Sequence, residues 1–356
     1  MNYIGSKLSL LEFLEDSINK VVDRDCHVFC DLFAGTGIVG NYFKKKGYKI
    51  IANDIQYYSF VLNKHYIENH KELKFLKLTK KLLKLKKVKI EDRKNLICDY
   101  LEDLKGVKGF IYKNYCAGGT KNKKMQRQYF SDINGMRCDA IRKKIEEWKK
   151  EKLINNNEYY FLLTSLIESV DKQANTASVY GAFLKKIKKS AQKNFILKPA
   201  ELVINDQEHK VYNQDINKLT KKIKGDILYL DPPYNHRQYA SNYHILETIA
   251  KYDNPVIRGK TGLRNYEKQK SSYCSKQKVK KEFKDLILSA KVKYIFLSYN
   301  NEGLMSLGDI KEIMSLRGKY SYFTKEYNRF KADKSENRNY KANKTVEYLH
   351  YVVCES

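Results

Sequence analysis

The chain has 356 residues, 42% of them hydrophobic, enough for one large domain or two smaller ones with a sizeable core. No stretch approaches the about 18–20 apolar residues of a membrane span, and Met1-Asn2-Tyr3-Ile4-Gly5-Ser6-Lys7 lacks the apolar core of a signal peptide. The net charge of +28 points to a polyanionic partner such as nucleic acid, at a discount: most of it is lysine, and with abundant Tyr, Ile and Asn it also fits an AT-rich coding sequence. The seven cysteines are scattered without a CxxC pair, which indicates neither a disulfide framework nor a metal site and fits a reduced cytoplasm.

Leu8, Leu11, Leu14, Ile18, Val21 and Val22 recur at helical spacing, predicting a helix over 8–22 with Ser6 as its N-cap. Residues 27–33 form a short strand running into Ala34-Gly35-Thr36-Gly37. A helix follows over 38–46, ended by Gly47, and a second strand over 48–52 closes on Asn53-Asp54. This is a βαβ unit with a glycine-rich first turn and an acid at the end of the second strand. Glycines there let backbone approach a ligand, and a terminal carboxylate about 20 residues on can accept from ribose hydroxyls. Gly35-Thr36-Gly37-Ile38-Val39-Gly40 also matches the letters of a nicotinamide-dinucleotide site, which stays an alternative at this point. Against it, Asp31-Leu32-Phe33-Ala34 places an acid and an aromatic ring at the ligand's edge.

Residues 61–206 have a different texture. The lysine-rich run 71–94 predicts one or two exposed basic helices, and 116–124 a basic, glycine-bearing loop. Helical patterns recur over 139–152 and 158–170, and the small residues of 175–185 interrupt them. This block is too long for a loop and is expected to be a largely helical inserted subdomain.

Strands resume over 208–216, with Asp215 near their end, and over 226–231. The second runs into Asp231-Pro232-Pro233-Tyr234. Two prolines cannot continue a strand or form the body of a helix. They make a rigid exit that holds one carboxylate and one carbonyl beside an aromatic ring. A turn is the plain alternative, since Asp-Pro is a common turn starter. A helix is expected over 244–251, a mobile polar loop over 252–273, a helix over 283–290 and a strand over 294–300. Strand-like runs over 320–327 and 346–354 flank a polar loop, 331–344. Alternating strands and helices predict a doubly wound, mostly parallel α/β sheet with a C-terminal antiparallel hairpin. Its ligands would lie at the carboxyl ends of the strands.

Taken together, these segments resemble the N6-adenine DNA methyltransferases. The carriers are Tyr3-Ile4-Gly5-Ser6-Lys7, Asp31 to Gly37, Asn53-Asp54 and Asp231-Pro232-Pro233-Tyr234. Their order is the Dam-like one of the D12 class, with cofactor motif, recognition region and catalytic motif in turn. Residues 231–239, 242–247, 175–185 and 298–303 look most like the FokI-type adenine methylases. The resemblance implies the seven-stranded sheet of class I methyltransferases, a catalytic domain of 1–60 and 207–356, and a target-recognition subdomain of 61–206. It implies S-adenosylmethionine as methyl donor, no metal, and Asp231, Pro232, Pro233 and Tyr234 as catalytic residues. Tyr3, Lys7, Asp31, Phe33, Gly35, Gly37, Asp54, Ile55, Asp215 and Asp231 would contact the donor. Tyr239, Asn300 and Asn301 are explained equally well by loop or packing roles.

In the implied mechanism the Asp231 carboxylate and Pro232 carbonyl accept the two N6–H groups of a flipped adenine, and Tyr234 stacks on the base. The expected partner is double-stranded DNA bound by a monomer in the cytoplasm, with a separate restriction endonuclease as a further candidate partner. Arg127, Arg137 and the 116–124 loop are candidate readers of DNA, with a solvated surface role as the alternative for each. An RNA methyltransferase, and a DNA-binding protein on an inactive methyltransferase fold, are the rival readings.

Overall fold

The computed structural model describes residues 3–82, 88–328 and 344–355. The centre of the lysine-rich run, 83–87, and residues 331–343 of the expected polar loop lie outside the described residues. The chain divides into two compact units.

One unit comprises Ile4–Asn63, Asn205–Ala240 and Glu267–Ser356. It carries a seven-stranded sheet whose strands are β1 (Val28–Asp31), β2 (Lys49–Asn53), β3 (Lys210–Tyr212), β4 (Ile227–Leu230), β5 (Tyr294–Asn300), β6 (Gly318–Asn328) and β7 (Lys344–Cys354). Their spatial order is β3-β2-β1-β4-β5-β7-β6. The first five are parallel, and β7 runs antiparallel to both β5 and β6. The expected mostly parallel sheet with a C-terminal antiparallel hairpin is therefore present.

β4 lies between β1 and β5, with all four residues buried, which explains its unbroken apolar run. Just before it, the Asp226 carboxylate accepts from the His27 and Val28 N–H groups, both at 2.8 Å, and so ties the entry of β4 to that of β1. Leu228, Leu230, Ile295 and Leu297 pack in one core with Ile216, Leu219, Phe283, Leu286, Ile310 and Ile313 from three helices, Ile216–Thr220, Val279–Ser289 and Leu307–Ser315. Phe29 of β1 instead stacks on Phe43 of helix Ile38–Lys45, ring centroids 4.2 Å apart.

At the N-terminus the expected cap is not made. A 3-10 turn, Leu8–Leu10, precedes a helix of Leu11–Asn19 only, and the position before the turn is Lys7, with no side-chain cap bond. The turn from helix to strand is as expected: Gly47 has φ 91°, the left-handed value that closes helix Ile38–Lys45 ahead of β2.

The other unit comprises Met1–Tyr3, Lys64–Ile204 and Ser241–Tyr266. Its long helices are Asp132–Lys150 and Asn156–Lys172, both started by side-chain caps, Ser131 and Asn155. Arg142 is buried and donates to the carbonyls of Ile249 and Ala250, at 3.0 and 3.1 Å. It thus satisfies orphan acceptors in the last turn of helix His244–Lys251.

Three stretches in this unit have more local structure than the sequence shows. The segment 252–266 is not a featureless mobile loop. Short antiparallel strands, Ile257–Arg258 and Leu263–Arg264, form a hairpin, and buried Arg264 makes a bidentate pair with Asp253 at 3.0 and 2.7 Å. In the other unit, its continuation holds 3-10 turns at Glu267–Gln269 and Ser272–Cys274. The 116–124 segment begins as a helical turn, Ala117–Thr120, packed so tightly that a side chain on Gly119 would collide with the Tyr112 carbonyl. Arg127 is buried and Arg137 half-buried, and both are engaged within the protein. Arg127 donates to the carbonyls of Asn114, Gly259 and Lys260, and Arg137 pairs with Glu102 at 3.3 Å beneath the Phe195 ring.

Candidate active site

The parallel register puts the C-terminal ends of β1, β2 and β4 on one edge of the sheet. Asp31 stands opposite Ala52 on one side and Tyr229 on the other. Asp31, the Gly35–Gly37 turn, Asp54 and Asp231 thus share the edge where strand order reverses, between β1 and β4, and where ligands of such sheets bind.

Gly37 requires glycine for two reasons. Its φ is 79°, and a Cβ there would lie 2.8 Å from the Asn63 Oδ1. Asn63 in turn donates to the Gly35 carbonyl at 3.1 Å, fixing the turn from behind. Asp54 braces it from the front: one oxygen accepts from the Gly35 N–H at 2.9 Å and the other from the Gln56 N–H at 2.8 Å. The neighbouring Ile55 is half-buried, and its carbonyl accepts from the Gln269 amide at 3.4 Å. Phe33 meets Tyr273 edge-on, centroids 5.0 Å apart.

Asp31 is buried. One carboxylate oxygen accepts from the Gly40 N–H at 3.1 Å; the other has no hydrogen-bond partner among the described residues. Burial first, then the negative charge of Asp231, pushes its pKa up to about 8, against the Gly40 bond that lowers it.

Beyond β4, residues 231–234 leave regular structure. The Tyr234 carbonyl accepts from the Leu304 N–H at 3.1 Å, and its ring sits edge-on to Tyr299, centroids 6.2 Å apart. Asp231 meets the ammonium of Lys7 at 3.2 Å, and the same ammonium meets Glu347 of β7 at 2.8 Å. The side chains of Lys7, Asp231 and Glu347 are 5%, 19% and 1% exposed, so an ion cluster is enclosed here and only Asp231 keeps appreciable access. Burial raises the Asp231 pKa to about 6; Lys7 opposes the rise and Glu347 adds to it. Burial alone would lower Lys7, but the two carboxylates hold it well above its ordinary value. Ser298 of β5 donates its hydroxyl to Glu347.

Tyr3, Asp215 and Tyr239 each make contacts within the protein. Tyr3 belongs to the helical unit, where it stacks on Tyr243 with centroids 4.6 Å apart. Asp215 is exposed and acts as N-cap of helix Ile216–Thr220, accepting from the Lys218 N–H at 3.1 Å. Tyr239 donates to the Ile4 carbonyl at 3.3 Å, and its hydroxyl lies 3.0 Å from where a Cβ would stand on Gly5, whose φ of 78° favours glycine. Sequence reasoning missed Glu347, whose strand read as ordinary sheet.

Comparison with known proteins gives one family. The model of D12 class N6 adenine-specific DNA methyltransferases matches residues 3–316. The Type II methyltransferase M.NlaIII of Neisseria lactamica is 53% identical over 352 residues, covering 98% of this chain and 98% of that protein. Type II methyltransferase M.FokI of Planomicrobium okeanokoites is 40% identical over 99% of this chain, which spans 52% of that protein's length. Type II methyltransferase M.CviAII of Paramecium bursaria Chlorella virus 1 is 34% identical, with 100% and 99% covered.

Proposed function

Because this chain belongs to the D12 class of N6 adenine-specific DNA methyltransferases, we propose that the edge of the sheet at β1, β2 and β4 is its methyl-transfer site, acting site-specifically on double-stranded DNA. S-adenosylmethionine supplies a sulfonium-bound methyl group, which passes to adenine N6 as the S–CH3 bond breaks and the N6–CH3 bond forms. The glycine turn, Asp54 and Ile55 fit the donor's nucleoside. The unpartnered oxygen of Asp31 fits its positively charged amino-acid end, with Phe33 at its edge. Tyr3, Lys7 and Asp215 are proposed donor contacts on the family's pattern.

Asp231 and the Pro232 carbonyl accept the two N6–H groups. Adenine's exocyclic nitrogen is a poor nucleophile because its lone pair is delocalised into the ring. Acceptors on both hydrogens favour the pyramidal nitrogen that localises it, so most of the gain comes from orientation and electrostatics. The proton released from N6 after transfer leaves by way of the Asp231 carboxylate to solvent. Pro233 keeps the exit rigid, and Tyr234 stacks on the flipped base. The helical unit, with residues 61–206 as its bulk, is the target-recognition subdomain. The protein acts as a monomer in the cytoplasm and protects the sites of a separate restriction endonuclease.

The observation that carries this reading is the half-buried Asp231 carboxylate, paired with Lys7 at a proline-locked strand exit on the same sheet edge as the Gly35–Gly37 turn. The test is Asp231→Ala. Transfer from labelled S-adenosylmethionine to duplex DNA should vanish while equilibrium donor binding stays within a few-fold of normal. Near-normal turnover would refute the assignment.

A further inference from the structure

Glu347 stands opposite Asn300 in the β5–β7 register, beyond the residues that the family model matches. It is almost wholly enclosed, and it holds the Lys7 ammonium at 2.8 Å, more closely than Asp231 does at 3.2 Å. Desolvating a carboxylate is unfavourable, and strand pairing needs no charge at that position. An apolar residue would serve the sheet equally well. The charge is spent instead on Lys7, with the Ser298 hydroxyl fixing the carboxylate from the neighbouring strand.

We propose that Glu347 is a positioning residue for methyl transfer: with Ser298 it anchors Lys7 and draws part of its positive charge away from Asp231, leaving Asp231 a stronger hydrogen-bond acceptor for the N6 amine. This rests on the reading of Asp231 as that acceptor. A lysine given wholly to Asp231 would tighten the ion pair and compete with the substrate's N–H. Shared between two carboxylates, it holds Asp231 in place without quenching it. The charged and titratable groups that face Asp231 are Lys7 from the N-terminal turn, Glu347 from β7, Asp31 from β1, Tyr229 from β4 and Tyr234. Glu347 raises the Asp231 pKa, so its removal should lower it.

The test is the pH profile of single-turnover transfer to duplex DNA by Glu347→Gln, Lys7→Met and the double variant. Glu347→Gln should move the acid limb down by roughly one pH unit and lower kcat several-fold, with KM for both substrates little changed. Ser298→Ala should move it the same way by less. In the Lys7→Met background, where Glu347 is only a like charge, Glu347→Gln should restore activity near neutral pH by roughly ten-fold, so the two changes are non-additive. An unmoved or raised limb in Glu347→Gln, or simple additivity in the double variant, overturns the proposal. If Glu347→Gln does not fold, Ser298→Ala decides by the same criterion. Should Lys7→Met shift the limb while the Glu347 and Ser298 variants do not, only this inference fails. If no variant shifts it, the Asp231 reading fails with it.

Discussion

Replacing Lys7 by Met keeps most of the side chain's length and removes the positive charge from between two enclosed carboxylates. At 3.2 Å from Asp231, one unit charge is worth ~5 kcal/mol at an effective dielectric constant of ~20. Asp231 keeps some access to water, which replaces part of the lost attraction, so the net change comes to ~4 kcal/mol, or ~3 pK units. Asp231 would then titrate at ~9 in the variant rather than at about 6. At pH 7.5 its ionised fraction would fall from ~97% to ~3%, a loss of about thirty-fold from ionisation alone. The assay is single-turnover transfer of a labelled methyl group from saturating S-adenosylmethionine to an adenine-containing duplex, between about pH 5.5 and 10, with thermal melting to verify folding. The acid limb should move up by ~3 units, and the two profiles should converge at the alkaline end. A uniform loss with the midpoint still near the wild-type value would refute the reasoning and confine Lys7 to donor binding.

Asp31 gives an independent pH signature. Its folded-state pKa is raised to about 8, so near neutrality the free protein carries it mostly protonated, and a cationic donor selects the ionised form. Donor binding should release up to about one proton and strengthen as pH rises towards 8, then level off; calorimetry in buffers of different ionisation enthalpy measures the release. The same raised pKa means that Asp31 favours folding below the unfolded value of ~3.9 and that this contribution is lost as pH rises through the folded value. Asp31→Asn should therefore melt higher than wild type at alkaline pH while binding the donor more weakly, as a pH series of melts would record. Tyr234→Ala should weaken productive DNA engagement by the ~1–3 kcal/mol of a stacked base, with Tyr234→Phe nearly neutral, read as kcat/KM on duplex DNA. Gly37→Ala places a Cβ 2.8 Å from Asn63 in a left-handed backbone, and should cost donor affinity about ten-fold or more in equilibrium binding, with DNA binding unchanged.

Much of the fold and the site is legible in the sequence because local chemistry and sheet topology agree. Gly37 and Gly47 mark left-handed positions, the β4 run is apolar throughout because both neighbours are parallel strands, and the paired prolines can only end it. The ends of the strands, readable from residue pattern alone, therefore locate Asp31, Asp54 and Asp231. What stays hidden depends on contacts distant along the chain. Lys7 and Glu347 meet from opposite ends of the sequence, and one acid in the run 346–354 carries no local sign of its partner. Arg127, a candidate reader of DNA from the sequence, and Arg142 serve carbonyls of segments more than a hundred residues away. The hairpin at 257–264 escapes because each strand has only two residues, too few for alternation to register. Helix Leu307–Ser315 does carry a signal, the Ser306 and Asp309 capping box before Ile310, Ile313 and Met314. Asp215, an acid at the end of a strand pattern, also serves as a helix cap, a role its position in the sequence does not announce.

The most direct test of the account is to incubate the protein with labelled S-adenosylmethionine and unmethylated duplex DNA, or with RNA, and to identify the modified nucleoside after digestion. N6-methyladenine should appear in the DNA at defined sites, be absent from RNA, and disappear with Asp231→Ala. Label confined to RNA, or found on cytosine or guanine, would contradict it.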